Sequence, residues 1–199
     1  CDDCTSNAVD LGFEFPFFDT TYSQVYASNN GGIDFTGTGF FYEPESFTTP
    51  TAGARVGVLW GDWSNDIYVQ GRVLYQLFPG SMFIVQWDDV QDYEEDTRVT
   101  MQVRLLIDGA IEVAYKSFTS VEGGTDDENR SIGISNEDGT IGVPFFFGVG
   151  SDLAAETAAR FTRMCTAQPT VQCYPGNDCT TPPTMNLKRS VKKVKKVKK

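Results

Sequence analysis

One segment, residues 97–117, limits the possible fold more than any other because it has the pattern of a β-hairpin. Apolar residues alternate with polar ones from Val99 to Leu105, which is the period of a strand with one face in a core and the other in water. Asp108-Gly109 then supplies residue types that tolerate the positive φ angles of a tight turn, and a second strand-like segment follows. This segment therefore predicts antiparallel β-structure.

Similar segments recur along most of the chain, separated by turns rich in Gly, Pro and Asn. Residues 152–164 are the exception, because their pattern is helical and Ser151 is a suitable N-cap. The sequence predicts an all-β fold, an antiparallel β-sandwich of about ten strands with one short C-terminal helix and a disordered basic tail. The predicted strands are residues 11–18, 22–28, 32–36, 55–60, 67–77, 81–87, 97–107, 110–117, 131–135 and 140–149.

The composition divides the chain into three parts. Residues 1–165 are predicted to form the β-sandwich domain, with two cysteines at its N-terminal end. Residues 166–184 form an extension rich in Cys, Pro and Thr, and residues 185–199 form a basic tail. No apolar run approaches the roughly eighteen residues that a membrane-spanning helix requires. No signal peptide is recognised, although a chain that starts at Cys1 is what cleavage of one would leave.

The charge is distributed unevenly between the body and the tail. Residues 187–199 hold eight of the sixteen Lys and Arg residues and no acidic one, which leaves eight basic against twenty-seven acidic residues in 1–186, a net charge of −19. We expect the tail to dock on an acidic surface, such as a lipid layer, a glycan, a mineral or a neighbouring copy. The alternative is a solvated terminus that adds only solubility, and the acidic body argues against nucleic acid as a partner. The predicted contact residues are Lys188, Arg189, Lys192, Lys193, Lys195, Lys196, Lys198 and Lys199.

The chain contains no histidine. This absence excludes Ser-His-Asp and Cys-His catalysis, as well as every metal site built on imidazole ligands. A pair of carboxylates could still serve a glycosidase, but no catalytic motif supports one. We therefore predict that the protein is not an enzyme and has no catalytic residues.

The five cysteines lie at the two ends of the chain, at Cys1, Cys4, Cys165, Cys173 and Cys179. Their spacing does not fit a zinc site, so we predict disulfides that join the N-terminal segment to the C-terminal one in an oxidising compartment. A disulfide that closes so long a loop would stabilise the fold by about 4 kcal/mol in the chain-entropy model. Because five is an odd number, one thiol is left over: it is free, pairs between molecules, or carries a lipid at Cys1.

An acidic segment between two predicted strands is a candidate for calcium binding. Ca²⁺ prefers about six to eight oxygen ligands, and a segment dense in carboxylates provides several of them. No regular ladder of acidic ligands is present, so the alternative is a solvated loop that keeps a sheet edge soluble. The predicted metal ligands are Asp92, Glu94, Glu95 and Asp96.

Two further sets of residues are candidates for binding or modification. Trp63, Tyr68 and Tyr93 are predicted to form an aromatic platform that stacks on a ligand, although aromatic residues on strands more often belong to a core. The triplet Asn129-Arg130-Ser131 is an N-glycosylation sequon, which predicts modification of Asn129 if the source is a eukaryote or its virus.

Several segments resemble, in the right order, the strands of nidogen-type (NIDO-like) extracellular domains. FEFPFFDTTYSQVYASNNGGIDFTG, residues 13–37, resembles the opening of that fold, and VGVLWGDW and SMFIVQWDD resemble the two tryptophan-containing strands that follow. The hairpins at residues 100–115 and 131–139 resemble the two with Asp-Gly turns. The resemblance covers residues 11–149 and departs from the usual pattern at Asn30-Gly31-Gly32, where an aromatic residue usually follows the first Gly.

The resemblance implies a non-catalytic extracellular module of a kind found in matrix, adhesion and cell-surface proteins and in secreted microbial ones. We therefore predict a structural or adhesion module that lies outside the cell, at a cell surface or at a virion or matrix surface. It would assemble with itself or with another extracellular or surface protein, and its tail would dock on acidic surface. The alternative is a monomeric recognition module that binds a glycan or a protein, with Ca²⁺ as an optional cofactor.

Overall fold

The computed structural model describes residues 2–65, 71–94, 97–119, 129–149 and 158–162, and twelve strands lie in this part of the chain. None of these residues forms a helix, so no segment among them has the helical length and hydropathy needed to cross a bilayer. The first six strands are β1 (Val9–Phe17), β2 (Thr20–Ser28), β3 (Gly32–Asp34), β4 (Arg55–Trp60), β5 (Trp63–Ser64) and β6 (Arg72–Phe78). The last six are β7 (Met82–Asp92), β8 (Arg98–Leu106), β9 (Ile111–Thr119), β10 (Asn129–Ser135), β11 (Gly142–Val149) and β12 (Ala158–Phe161).

The strands form two antiparallel sheets, which confirms the predicted all-β class and fits a β-sandwich. Sheet I has the order β1-β2-β3-β4-β10-β11. Sheet II has the order β12-β9-β8-β7-β5, and β6 also pairs with β7, beside β5. At one side of the molecule β1 lies near β6, since the Leu77 side chain packs against Gly12. At the other side the ring of Phe145 in β11 contacts the ring of Phe161 in β12.

The hairpin predicted around Asp108-Gly109 is confirmed as β8 and β9. The two strands pair with Leu105 opposite Ile111, and Gly109 has a φ of +83°. The Asp108 carboxylate accepts a hydrogen bond from the Ala110 backbone N–H at 3.0 Å, which closes the turn. Local sequence therefore sets this pairing, as expected for an Asp-Gly turn.

The core lies between the sheets and is rich in aromatic and β-branched residues. Every residue of β4 is buried, in agreement with its continuous apolar run. The indole of Trp87 donates to the Ser28 carbonyl at 2.8 Å, and the Tyr115 hydroxyl donates to the Val58 carbonyl. Burial of the Tyr115 hydroxyl raises its pKa well above its usual range. These two hydrogen bonds join sheet II to sheet I through otherwise apolar surroundings.

The helix predicted over residues 152–164 is not observed. Residues 158–161 form β12, which pairs antiparallel with β9; the rest of the predicted helix, apart from residue 162, lies outside the described residues. Ala159 and Phe161 are buried whereas Ala158 and Arg160 are exposed, so burial alternates with a period of two. The free edge of β9 offers hydrogen bonds and a core for these side chains, and this tertiary contact overrides a weak helical propensity.

Candidate functional site

The N-terminal segment is fixed against one end of the sandwich. The Cys4 N–H donates to the Asn29 side-chain oxygen at 2.8 Å, and the Asn29 N–H donates to the Cys4 carbonyl at 3.0 Å. Asn30 donates from its side chain to the Asp3 carboxylate at 2.7 Å. The turn between β2 and β3 therefore holds the acidic N-terminal residues at this end.

A buried ion pair lies below the same end. Arg130 and Asp92 form a salt bridge in which both side chains are 1% exposed. The guanidinium carbon of Arg130 also lies 4.4 Å from the centre of the Trp63 ring, a cation–π geometry. Gly61 leaves room for the guanidinium, since a Cβ at that position would overlap it. Two charges removed from water are tolerated here because each is the other's partner.

Three carboxylates converge above this ion pair, from Asp2, Asp3 and Asp62. One oxygen of each lies within 4.8 Å of the others. Partial burial, together with repulsion from Asp2, Asp3 and Asp92, raises the pKa of Asp62 to about 6 from 3.8, although Arg130 acts in the opposite direction. This end of the domain therefore favours a cation or a proton close to Asp62.

A pocket of about 180 Å³ opens beside Asp62. Asp92 and Arg130 neutralise each other within it, so the negative charge of its wall comes from Glu43, Asp62 and Glu94. Tyr42 is an exposed aromatic residue that lines the pocket, and Phe41, next to it in the chain, is also exposed. The backbone of Tyr93, another exposed aromatic residue, donates to the Asp62 carbonyl at 3.0 Å. We call this site the acidic pocket; its lining residues are Tyr42, Glu43, Pro44, Asp62, Asp92, Glu94 and Arg130.

The acidic pocket can bind cations through two kinds of interaction. Its carboxylates attract positive charge, and the face of the Tyr42 ring attracts an ammonium or guanidinium group. A second pocket, which we call the comparison pocket, also contains acidic residues, Asp19, Glu137 and Asp138 among them. There Tyr22 donates to Glu137 at 3.0 Å, and burial together with this carboxylate raises the pKa of Tyr22 to about 12.

The structure describes two of the four predicted calcium ligands, and both line the acidic pocket. Asp92 is buried and bound to Arg130, and its other oxygen accepts the Glu94 N–H at 2.9 Å, so its carboxylate is not free to face an ion in the pocket. Glu94 is exposed and lines the acidic pocket, whereas Glu95 and Asp96 lie outside the described residues. Calcium binding at Asp92, Glu94, Glu95 and Asp96 stays a prediction.

The predicted aromatic platform is also divided. Trp63 is fully buried and donates its indole N–H to the Leu59 carbonyl at 2.7 Å, so it belongs to the core and not to a ligand-binding surface. Tyr93 is 59% exposed beside the acidic pocket, and Tyr68 lies outside the described residues. Tyr42, which the sequence did not single out, is the aromatic residue that lines the pocket.

The remaining candidates lie mostly outside the described residues. Cys4 is disulfide-bonded; because Cys1, Cys165, Cys173 and Cys179 are not described, the predicted link between the two ends stays a prediction. All eight basic residues of the tail also lie outside the described part of the chain. Asn129 is exposed at the first residue of β10, and its glycosylation stays a prediction.

Sequence reasoning did not find Asp2, Asp3 and Asp62 as a group. About sixty residues separate the first two from the third, and tertiary hydrogen bonds, those of Asn29 and Asn30 among them, bring the N-terminal segment to this end. The one available signal was the placement of Asp62 between two tryptophans, directly after the buried strand β4. At the end of a buried strand a carboxylate is partly removed from water, and such an environment shifts its pKa.

Replacing Asp62 with Asn should stabilise the protein at neutral pH and have little effect in acid. The raised pKa means that the folded state favours the protonated carboxyl, so stability is highest below pH 3.8 and is lost as the pH rises through about 6. Asn stands in for the protonated form, and the expected gain above pH 6 is about 1 kcal/mol, because water still screens this half-buried group. Denaturant unfolding of the parent protein and the variant at several pH values measures this gain in free energy of unfolding. Asp19→Asn removes an exposed charge elsewhere, and an equal gain there would contradict the local explanation.

Comparison with known proteins agrees with the fold and with the type of domain. The model of a family described as NIDO related matches residues 1–174. Alpha-tectorin of Gallus gallus is 28% identical over 147 residues, which cover 60% of this chain and 7% of alpha-tectorin. The chain therefore spans a small fraction of this relative. No solved structure matches the chain.

Proposed function

Because this chain belongs to the NIDO-related family of extracellular domains, we propose that it is a non-catalytic structural module that assembles with copies of itself or with a partner at a matrix or surface. The β-sandwich is the rigid body of the module. The basic tail is its electrostatic contact, and the acidic pocket of a neighbouring copy is the surface on which the tail docks. Adhesion to a matrix or surface protein would use the same two charged parts.

The acidic pocket is the observation that carries this proposal. It places Glu43, Asp62 and Glu94 around one opening. Partial burial, together with repulsion from Asp2, Asp3 and Asp92, raises the pKa of Asp62 to about 6 in the absence of a bound cation. A lysine of the tail would relieve this repulsion and lie against the ring of Tyr42. Each such contact contributes at most about 1 kcal/mol, so affinity would come from several of the eight cations acting together.

The charge of the whole chain favours a contact between molecules at low ionic strength. A body with a net charge of −19 and a tail with eight cations attract each other wherever the tail of one copy meets the body of the next. The attraction acts over about 10 Å at 0.1 M salt and over only a few Å near 1 M. Assembly through the tail should therefore be strongly salt-dependent.

Sedimentation velocity of the full chain tests this function. At about 0.05 M salt we expect the average mass to rise with protein concentration, and at about 0.5 M salt we expect most of that rise to be lost. A variant with all eight basic residues of the tail changed to Ser should show the same small mass at both salt concentrations. Unchanged association of this variant at low salt would contradict the role of the tail.

A pair of matched variants locates the docking surface. Glu43→Gln with Glu94→Gln removes two charges from the acidic pocket, and Asp19→Asn with Asp138→Asn removes two from the comparison pocket. The first double variant should weaken salt-sensitive association and the second should leave it close to that of the parent protein. Equal weakening by both would show that net charge, and not the acidic pocket, controls association.

Recognition of a ligand is a second candidate function. The observation in its favour is that Asp2, Asp3 and Asp62 bring three carboxylate oxygens within 4.8 Å of one another beside exposed aromatic rings. In this alternative a Ca²⁺ ion binds the carboxylates and the aromatic residues contact a glycan or a protein. Thermal unfolding with Ca²⁺ and with a chelator tests it, since an ion at about a hundred times its dissociation constant stabilises by about 2.7 kcal/mol. An unchanged midpoint would exclude the calcium part.

A further inference from the structure

Strand β6 differs from the other edge strands of the described structure. Natural proteins protect sheet edges with charges, prolines, bulges or short strands. β1 has Asp10, Glu14, Pro16 and a shift of register, β11 has the exposed Pro144, β5 has two residues, and β12 has four. β6 has seven residues, pairs with β7 in one continuous register, and contains neither proline nor glycine.

The side chains of β6 are apolar and incompletely covered. Leu74 and Tyr75 are 44% and 62% exposed, and Leu77 is also exposed. Tyr75 stacks on Phe83 at 5.8 Å between ring centres, so one face of its ring is packed while most of the side chain is exposed to solvent. Arg72, at the start of the strand, carries its only charge.

The surface next to this edge is neutral. A shallow cavity of about 300 Å³ lies between the outward side chains of β6, β7 and β8, where Leu74 and Ile84 meet the amides of Gln86 and Gln102. The Gln102 side chain donates to Gln86 at 3.0 Å. Apolar and amide groups of this kind are well suited to a contact that excludes water.

The charged residues around this surface are paired within the chain. Arg72 binds Asp88 at 3.0 Å, and Arg98 binds Asp89 at 2.9 Å. Arg104 of β8 lies 3.6 Å from Glu112, its opposite residue on β9. Two copies of a body with a net charge of −19 repel each other over most of their surface, and they approach at least cost where charge is locally balanced.

We propose that the β6 edge is a second interface, at which β6 pairs antiparallel with β6 of another copy and joins the two copies of sheet II into one continuous sheet. A two-fold axis near Tyr75 places Val73 opposite the partner's Leu77, so that apolar residues face each other on one side. The same axis separates Arg72 from the partner's Arg72 by about 20 Å, since each residue adds about 3.3 Å along a strand. Backbone hydrogen bonds give this contact its affinity, as in other cases of strand addition.

Analytical ultracentrifugation of the full, non-reduced chain at about 0.5 M salt tests this interface, because contacts of the tail are screened there. We expect a dimer for the parent protein. Leu74→Lys should raise the dissociation constant of this dimer by about tenfold or more, since an edge lysine adds repulsion between two copies and must remain hydrated. A non-reducing gel that shows a monomer confirms that the dimer is not a disulfide.

Phe147→Lys is the matched control, because Phe147 is an apolar residue of similar exposure, 47% against 44% for Leu74, on a different edge strand, β11. It should leave the dissociation constant unchanged. Gln76→Lys is a second test on β6, and near-UV circular dichroism of each variant verifies the fold. The proposal would be overturned if the parent protein stayed monomeric at high concentration, or if Leu74→Lys and Gln76→Lys both left the dimer intact. It would also be overturned if the β6 edge bound a different protein and never a second copy of this chain.

Hydrogen exchange distinguishes this interface from the docking of the tail. Backbone amides in residues 72–78 should exchange more slowly as protein concentration rises, in the parent protein and equally in the variant with a Ser-substituted tail. Loss of salt-sensitive assembly in that variant, with the dimer retained, would support both interfaces. Loss of the dimer as well would overturn the edge interface and leave the tail as the contact.

Discussion

Replacing Arg130 with Met should destabilise the domain by about 3–5 kcal/mol, because it leaves the Asp92 carboxylate buried without its partner. Both side chains of this ion pair are 1% exposed, so neither has water to replace the lost contact. The variant also loses the interaction of the guanidinium with the Trp63 ring, 4.4 Å away. Denaturant unfolding at neutral pH measures the loss.

A double variant and a surface control separate the cost of a buried charge from a general loss of packing. Asp92→Leu combined with Arg130→Met removes both charges and should recover much of the stability that the single change loses. Arg72→Met breaks a salt bridge to Asp88 in which the arginine is largely exposed, and should cost at most about 1 kcal/mol. If Arg130→Met costs no more than Arg72→Met, the buried pair does not hold this end of the sandwich together.

The strands that could be predicted are those whose register is set by nearby residues. β8 and β9 meet through the Asp108-Gly109 turn, and β6 and β7 meet through a short turn at Pro79-Gly80. In the β8–β9 hairpin the alternation of apolar and polar residues agrees with the turn, so local and long-range preferences coincide. The order of the strands in the two sheets does not follow from such patterns, because it depends on contacts between distant segments.

The parts that could not be predicted depend on tertiary contacts. Arg130 carries a charge that favours exposure to water, yet it is buried because it pairs with Asp92, thirty-eight residues earlier. The two-residue strand β5 exists only because Trp63 pairs with Asp92 at the end of β7. β12 likewise requires the free edge of β9. In each case the residue type alone favours another environment, and a contact with a segment distant in the sequence determines the structure that forms.

The two proposed interfaces differ in symmetry, and together they would produce an extended assembly. Pairing of β6 with β6 is isologous, because the same surface is used by both copies, and it closes after two. Docking of a tail in the acidic pocket of another copy is heterologous, because the two surfaces differ, and it continues from copy to copy. Alternation of the two contacts would give a filament or a layer. Salt should then shorten the assembly to dimers, because it screens only the tail contact.

Replacing Gly31 with Ala should destabilise the domain by about 3 kcal/mol or more, because the backbone cannot move away from the added methyl group. Gly31 has a φ of +78°, and a Cβ at this position would overlap the Leu59 carbonyl oxygen. The same residue accepts hydrogen bonds from the Val58 and Leu59 N–H groups at 2.9 and 3.1 Å. Relief of the overlap would therefore break contacts between the β2–β3 turn and β4.

Gly80→Ala is the matched control for this change, because Gly80 has a similar φ of +67° and no atom lies within 4 Å of the place that its added methyl group would take. It should cost only about 1–2 kcal/mol, the usual cost of a left-handed conformation for a residue with a Cβ. The difference between the two variants in free energy of unfolding then measures the close approach at Gly31 by itself. Since that turn also positions Asn29 and Asn30, Gly31→Ala should loosen the N-terminal segment and the acidic pocket, whereas Gly80→Ala should leave both unchanged. Equal costs for the two changes would show that the left-handed conformation of Gly31, and not its close approach to Leu59, accounts for the loss of stability.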